Sequence, residues 1–282
     1  RRVMLAAHLD EIGIIVSHVD ARGFARFSAL GGFNPQRRLG ARLQFLNGAH
    51  GVIALEKQAE DRDRKPSNDK FFIDTGAASA KESKIKVGDI AVFDSAFIDL
   101  GDRLVSKAID DRVGVALLIE TLRTLKSSPH EIYFVFTVQE EVGLKGARTS
   151  SFKIDPDFAI AIDTTVAGDT PGIRETESAL KLGEGVAITI IEAAGRGVIV
   201  NEKVKELFIE TAKANKIKYQ IDVIEGGMTD GAIIYMNREG IHTGVLSIPT
   251  RYIHSSTGVF NLNDLESAVD LAVKVIEKVA KA

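Results

Sequence analysis

Imidazole and carboxylate side chains recur along this chain just after short apolar runs, where they could bind cations or move protons. Each has an ordinary explanation when taken alone, because aspartate often caps a helix or closes a turn, and adjacent glutamates are usually solvated. Their joint placement is less easily explained by chance. The residues are His8 and Asp10 in "AAHLDEIG", Asp110 and Asp111 in "AIDDRVG", Glu140 and Glu141 in "VQEEVGLKGA", Asp163 in "AIDTTVAGDTPG", and His254 in "IPTRYIHS".

These residue types favour a divalent metal site. The chain has no cysteine, which excludes disulfides, thiolate ligands and a cysteine nucleophile. Imidazole and carboxylate without thiolate suit Zn²⁺, Co²⁺ or Mn²⁺. Two histidines and three carboxylates are more than one tetrahedral ion needs. They suit two ions roughly 3.5–4 Å apart with one bridging carboxylate, so we predict two divalent metal ions per subunit.

The elements that must position these residues are predicted to form an α/β fold. Beyond Leu104, apolar runs typical of strands alternate with segments of helical spacing, such as residues 113–125 and the closing stretch from Asn261. This alternation predicts a doubly wound, largely parallel sheet. Ligands of such sheets bind at the carboxyl ends of the strands, and the candidate residues follow predicted strand ends. We therefore expect them to converge on one edge of the sheet.

Residues 12–100 differ in sequence pattern from the rest of the chain. Short β-rich runs separated by glycine and charged turns predict a small all-β domain there, inserted into a catalytic domain made of residues 1–11 and 101–282. Within the insertion, residues 56–70 are dense in mixed charge. We interpret this run as a solvated loop, with an oligomer contact as the alternative.

The composition is that of a soluble globular protein. Of the 282 residues 45% are apolar and 27% charged, and the net charge of −3 includes no basic block, so nucleic acid is not an expected partner. No apolar run reaches the roughly 18 residues that indicate a membrane span, and no signal peptide is visible, so a cytoplasmic location is expected. The chain begins within an apolar strand without methionine, which suggests that an N-terminal segment is absent.

The five motifs, which occur in order from the first residues to the last helix, resemble those of the tetrahedral (TET) aminopeptidases. These are co-catalytic di-metal exopeptidases, described in places as glutamyl aminopeptidase-like or deblocking. The resemblance implies peptide substrates, a β-rich dimerisation domain at residues 12–100, and assembly from dimers into a hollow dodecamer with internal active sites. Family members typically carry a further N-terminal segment, in agreement with the abrupt start.

The resemblance also implies a role for each site residue. His8 and Asp163 would bind one metal, His254 and Glu141 the other, and Asp110 would bridge them. Glu140 would be the general base. Asp10 would hydrogen-bond the far nitrogen of His8 and fix its tautomer. In the wider clan the peptide bond after the bridging aspartate is often cis.

The loop "IEGGMTDGAII" has two interpretations. By family position it would form a wall of the substrate pocket, with Gly226, Gly227, Thr229 and Asp230 as candidate substrate-binding residues. The alternative is a turn in which Asp230 or Thr229 caps a helix. Two rival functions also stay open: a related di-metal amidohydrolase, deacylase or endoglucanase-labelled enzyme on the same site, and a non-catalytic scaffold. The sequence does not decide the preferred N-terminal residue or the native metal.

Overall fold

A computed structural model describes residues 1–33, 35–57 and 66–279 of the chain. Two sheets organise these residues, and the strands are numbered in chain order. The strands are β1 (Arg2–His8), β2 (Gly13–Val19), β3 (Ala25–Leu30), β4 (Arg42–Phe45), β5 (His50–Leu55), β6 (Phe71–Asp74), β7 (Ile90–Phe93), β8 (Ile98–Asp99), β9 (Arg103–Ser106), β10 (Glu131–Thr137), β11 (Phe158–Val166), β12 (Val186–Ile191), β13 (Tyr219–Val223), β14 (His242–Arg251) and β15 (Gly258–Asn261).

The large sheet has a parallel centre in the order β10-β1-β11-β14. Beyond β14 the neighbours are antiparallel: β12 pairs with the middle of β14, residues 245–247, and β15 pairs with its last two residues. The central strand β1 is buried from Val3 to Ala7, as expected of a parallel strand covered on both faces. The predicted α/β class with a largely parallel sheet and a separate small β structure is confirmed.

Five α-helices accompany this sheet within the described residues. The last helix, α5 (Leu262–Val279), carries its buried apolar residues on one stripe from Leu265 to Val279, as an amphipathic helix that packs on a core does. No helix among the described residues is long and apolar enough to cross a membrane. The helices are α1 (Ile109–Thr124), α2 (Lys145–Ile154), α3 (Glu202–Asn215), α4 (Gly231–Ile234) and α5 (Leu262–Val279).

Two of the helices begin beside polar side chains. Asn201 caps α3, because its side chain accepts a hydrogen bond from the main-chain N–H of Lys203. Helix α4 is only a single turn. Thr229 and Asp230, which precede α4, use their side chains in buried hydrogen bonds described below.

The second sheet is a closed barrel with the strand order β2-β3-β6-β5-β4-β7. It has its own core, which includes Ile14, Leu43, Ile53 and Phe93. The barrel strands lie within the insertion predicted at residues 12–100. Near the end of the predicted insertion, Ile98–Asp99 pairs with β9 of the large sheet. Residues 58–65 of the charged run lie outside the described residues.

Candidate active site

The register of the parallel strands brings His8 and Asp163 to the same height in the large sheet. His8 is the last residue of β1 and lies opposite Thr137, the last residue of β10. On the other side of β1, Ala6 lies opposite Ala161, so His8 and Asp163 are each two residues further along neighbouring strands. Both side chains are therefore at the carboxyl edge of the sheet, where the sequence predicted them.

The start of α1 is irregular, and it carries a third candidate residue, Asp110. Asp110 and Asp111 have non-helical φ and ψ, and the peptide bond between them is cis, as the resemblance implies. Asp111 is fully buried. Its Oδ2 accepts a hydrogen bond from the main-chain N–H of His8 at 3.2 Å and its Oδ1 accepts one from Gly114 at 3.0 Å. Asp110 is left to face the two histidines.

Asp110 lies between the two imidazole rings with one oxygen toward each. Its Oδ1 is 3.2 Å from Nε2 of His8, and its Oδ2 is 3.5 Å from Nε2 of His254. Glu141 Oε2 is 3.3 Å from the same nitrogen of His254, and Asp163 Oδ1 is 3.9 Å from Nε2 of His8. The five residues that the resemblance implies as metal ligands thus form one cluster with Asp110 at its centre.

The position of His254 differs from the sequence expectation. Strand β14 ends at Arg251, so His254 belongs to the following turn rather than to the strand end. The turn needs two left-handed residues, Tyr252 at φ 63° and His254 at φ 55°. His254 is also the most exposed of the cluster, with 42% of its side chain accessible, whereas that of His8 is 2% accessible.

Asp10 acts through different atoms than expected. The nitrogen Nδ1 of His8 lies 3.0 Å from the main-chain oxygen of Asp10 and 3.8 Å from its carboxylate. A carbonyl oxygen only accepts, so Nδ1 donates to it and Nε2 is the nitrogen that faces the carboxylates of the cluster. The Asp10 carboxylate instead accepts the main-chain N–H groups of Glu140 and Glu141, at 3.1 and 3.3 Å. It orients the glutamate pair.

Three carboxyl groups of the site are buried close to other acidic groups, so their ionised forms need nearby positive charge. Burial raises the pKa of Glu140 to about 9, with Asp230 and Glu141 adding to the shift and His8 opposing it. Burial likewise raises the pKa of Glu141 to about 8, and the charge of Asp110 adds to this. Burial and the charge of Asp110 hold the pKa of Asp163 well above its usual range. Bound divalent cations would favour the ionised forms of all three.

The donor set fits such a cation. Oε1 of Glu141 is buried and has no hydrogen-bond partner, which is unusual for a carboxylate oxygen. Two groups have ligand atoms close enough to share an ion: His8 with Asp110 and Glu141, and His8 with Asp111 and Asp163. The second group contains Asp111, to which the sequence analysis gave no role. The described residues can therefore hold metal.

A cleft of about 630 Å³ opens beside this cluster. Three of the four predicted substrate-binding residues, Gly226, Gly227 and Thr229, line it. The fourth, Asp230, is not among its lining residues. Asp230 is buried and accepts a hydrogen bond from the hydroxyl of Thr137.

The barrel also contributes to the cleft, through a glycine pair that the sequence analysis did not single out. A Cβ on Gly31, which has a φ of 84°, would lie 2.9 Å from Oε2 of Glu141. A Cβ on Gly32 would lie 3.1 Å from Nδ1 of His254. The main-chain N–H of Gly32 also hydrogen-bonds Glu141. The adjacent glycines after β3 were the only signal of this close approach.

A parallel sheet whose edge gathers histidines and carboxylates able to hold metal is typical of metal-dependent hydrolases. The chain belongs to the M42 glutamyl aminopeptidase family, whose family model matches residues 1–271. It is therefore a peptidase, and the resemblance to TET aminopeptidases is confirmed.

Individual relatives with aminopeptidase names are similar to this chain over most of its length. A provisionally named aminopeptidase of Acetivibrio thermocellus is 42% identical over 98% of this chain and 82% of its own. The lysyl aminopeptidase of Pyrococcus furiosus is 33% identical, with the same shares covered.

Solved structures are similar as well. Aminopeptidase APDkam598 of the archaeon Desulfurococcus kamchatkensis superposes with a TM-score of 0.94 at 44% identity, over 98% of this chain and 79% of its own. The TET1 peptidase of Pyrococcus horikoshii, which can assemble into a tetrahedron or a large octahedral shell, has a TM-score of 0.83 at 32% identity, over 99% and 83% of the two chains.

Proposed function

We propose that this aminopeptidase removes the N-terminal residue of peptides with two divalent cations and with Glu140 as general base. The observation that carries the proposal is the divergence of the glutamate pair. Both main-chain N–H groups donate to the Asp10 carboxylate, yet Glu141 Oε2 lies 3.3 Å from His254 and Glu140 Oε2 lies 3.8 Å from His8. Glu141 can bind a cation while Glu140 remains available to move a proton.

His8 and Asp163 would hold one cation, His254 and Glu141 the other, and Asp110 would contact both. A Zn²⁺, Co²⁺ or Mn²⁺ pair in such a site acidifies water and polarises the scissile carbonyl. Asp110 suits the shared position because its two oxygens face different histidines. The main-chain oxygen of Asp10 would accept the Nδ1 proton of His8, which leaves Nε2 as the nitrogen that would bind a cation.

Glu140 would move one proton in each turnover. Its carboxylate takes a proton from water as the water oxygen attacks the carbonyl carbon of the first peptide bond. It returns that proton to the leaving amine nitrogen as the carbon–nitrogen bond breaks. The side chain of Glu140 is 9% exposed, so its proton is not readily lost to bulk solvent between the two steps.

The test is hydrolysis of aminoacyl amides after chelation and re-addition of Zn²⁺, Co²⁺ or Mn²⁺. We expect activity to vanish with chelation and to return with at least one metal. The matched control is the same amide with an acetylated amine. We expect no cleavage of this control, because an aminopeptidase requires the free amine. Equal or faster cleavage of the acetylated amide would instead support the related amidohydrolase or deacylase.

Self-association is a second part of the proposal. Pyrococcus horikoshii TET1 forms closed shells, and the barrel of this chain exposes apolar side chains, including Leu39, Leu46 and Val87 at 59%, 77% and 61%. A contact between subunits would cover side chains of this kind, and contiguous exposed apolar patches mark interaction sites. We propose dimers through the insertion at residues 12–100 and a tetrahedral dodecamer built from them.

Light scattering of the purified chain measures this directly. A dodecamer mass supports the assembly, Leu46→Glu should reduce the mass, and a wild-type monomer would contradict the proposal. A cytoplasmic location belongs to the same proposal, and cell fractionation tests it.

A further inference from the structure

The cleft beside the metal ligands has an apolar wall. Apart from the ligand set and Glu140, the described residues that line it are apolar side chains, glycines and threonines. No lysine or arginine is among them. The apolar members are Leu144, Val166, Ile224, Met228 and Ile253.

Two of the threonines do not offer their hydroxyl protons to a ligand. Thr165 donates its hydroxyl proton to Oδ2 of Asp222 at 2.8 Å, and Thr229 donates its own to Oε1 of Glu192. Both acids are buried, Asp222 at 7% exposure and Glu192 at 0%, and neither lines the cleft. These hydrogen bonds hold the two hydroxyl protons toward the protein interior, so Thr165 and Thr229 add little donor capacity to the wall. The third lining threonine, Thr164, has a buried hydroxyl without a hydrogen-bond partner and is the one uncharged side-chain donor left among the described lining residues.

The two acids are therefore not available to a charged substrate side chain. A lysyl side chain in the cleft would need a carboxylate, and the only carboxylates among the described lining residues are Glu140 and those of the metal cluster. A glutamyl side chain would need a cationic side chain, and none of the described lining residues carries one. The wall offers neither charge a partner, whereas an apolar side chain gains by covering its apolar groups.

We infer that the cleft selects peptides with an uncharged apolar N-terminal residue, such as leucine or methionine. The inference rests on the proposed function, since it assigns the cleft wall to the first side chain of the peptide. It separates this chain from the glutamyl specificity in the family description and from the lysyl specificity in the name of the Pyrococcus furiosus relative.

The test compares kcat/KM of the metal-loaded enzyme for leucyl, methionyl, glutamyl and lysyl amides. We expect the two apolar amides to be hydrolysed at least ten times more efficiently than either charged one. A glutamyl or lysyl amide at or above the leucyl rate would overturn the inference while leaving the aminopeptidase assignment intact. No cleavage of any of the four would contradict the proposed function itself, and the inference with it.

A charge placed on the wall should redirect this preference. Val166 is 51% exposed, so Val166→Lys places a cation on the wall of the cleft without burying it. We expect the ratio of glutamyl to leucyl kcat/KM to rise at least tenfold. The matched control is Val223→Lys, because Val223 is similarly exposed, at 60%, but does not line the cleft.

Met228→Lys, at a second exposed position on the wall, repeats the test if the first variant does not fold. Circular dichroism establishes folding of each variant. An unchanged ratio in a folded wall variant, or an equal change in the control, would overturn the inference.

Discussion

Arg251 and Asp169 form a doubly hydrogen-bonded ion pair at the point where β14 ends. Nε of Arg251 donates to Oδ1 at 2.8 Å and an Nη donates to Oδ2 at 2.6 Å, with both side chains less than one fifth exposed. The pair ties the end of β14 to the loop after β11, and His254 follows Arg251 by only three residues. The planar guanidinium of an arginine donates to both carboxylate oxygens in such a pair, so the pair fixes the orientation of the two side chains and also neutralises their charges.

We predict that Arg251→Ala lowers kcat/KM by about ten- to a hundredfold, because displacement of a positioned catalytic group by about 1 Å has effects of this size. The loss should appear with the fold retained, measured by circular dichroism beside the kinetics. Arg174→Ala is the matched control, since Arg174 pairs with Glu177 on the exposed surface, where such pairs contribute little. Equal activity of the two variants would show that the pair does not position His254.

We predict that Glu140→Gln lowers kcat by a factor of about 100 or more, since general-base catalysis contributes about 10²–10⁴-fold. The amide keeps the shape of the side chain but cannot take the proton. Bound metal, measured by elemental analysis, should stay close to the wild-type amount because Glu140 is not assigned as a ligand. Activity near wild type would remove Glu140 from its proposed role.

Asp110→Ala should instead lose metal. Asp110 faces both histidines, so its removal takes one oxygen from each half of the cluster. We expect the metal content after dialysis to fall well below that of the wild type, and activity to fall with it. Asp270→Ala, at an exposed position on α5, serves as the control and should retain its metal. Full metal occupancy in the Asp110 variant would exclude a bridging role.

Glu192 predicts a pH dependence of stability that is separate from catalysis. Burial raises its pKa from 4.5 to about 7, although its hydrogen bonds to Thr229 and Val198 oppose the shift. The folded state therefore holds the proton more tightly than the unfolded state between these values. The free energy of unfolding gains from this group at low pH and loses that gain as pH rises from about 4.5 to about 7.

Glu192→Gln removes this titration, so its free energy of unfolding should change less between pH 5 and pH 8 than that of the wild type. Chemical denaturation at the two pH values measures the difference. The variant also loses the acceptor for the Val198 N–H, which lowers its stability at both pH values. An identical pH dependence in both proteins would mean that Glu192 titrates near its ordinary value.

Sequence motifs identified the site residues both at strand ends and in loops, but only the positions of those at strand ends could be predicted. His8 and Asp163 are at the edge where their apolar runs placed them, because burial on both faces leaves β1 and β11 little freedom of register. His254 depends on two left-handed residues after β14, which no apolar pattern encodes. The contacts of Asp10 depend on which of its oxygens the folded loops bring near His8 and Glu140.

The glycine pair of the barrel was missed for a similar reason. Its role comes from a close approach between parts of the chain that are distant in sequence, Gly31 with Glu141 and Gly32 with His254. Two adjacent glycines in a β-rich segment usually indicate only a turn.

That close approach sets a limit for protein engineering. A minimal catalytic unit made by excising residues 12–100 would lose Gly32, and with it a main-chain donor to Glu141 and the backbone that lies against His254. A short linker in place of the barrel would rejoin β1 to the rest of the large sheet but leave that side of the cleft open to water. Swapping barrels between relatives would meet the same constraint, so the Gly31–Gly32 loop has to be transplanted with the catalytic residues it touches.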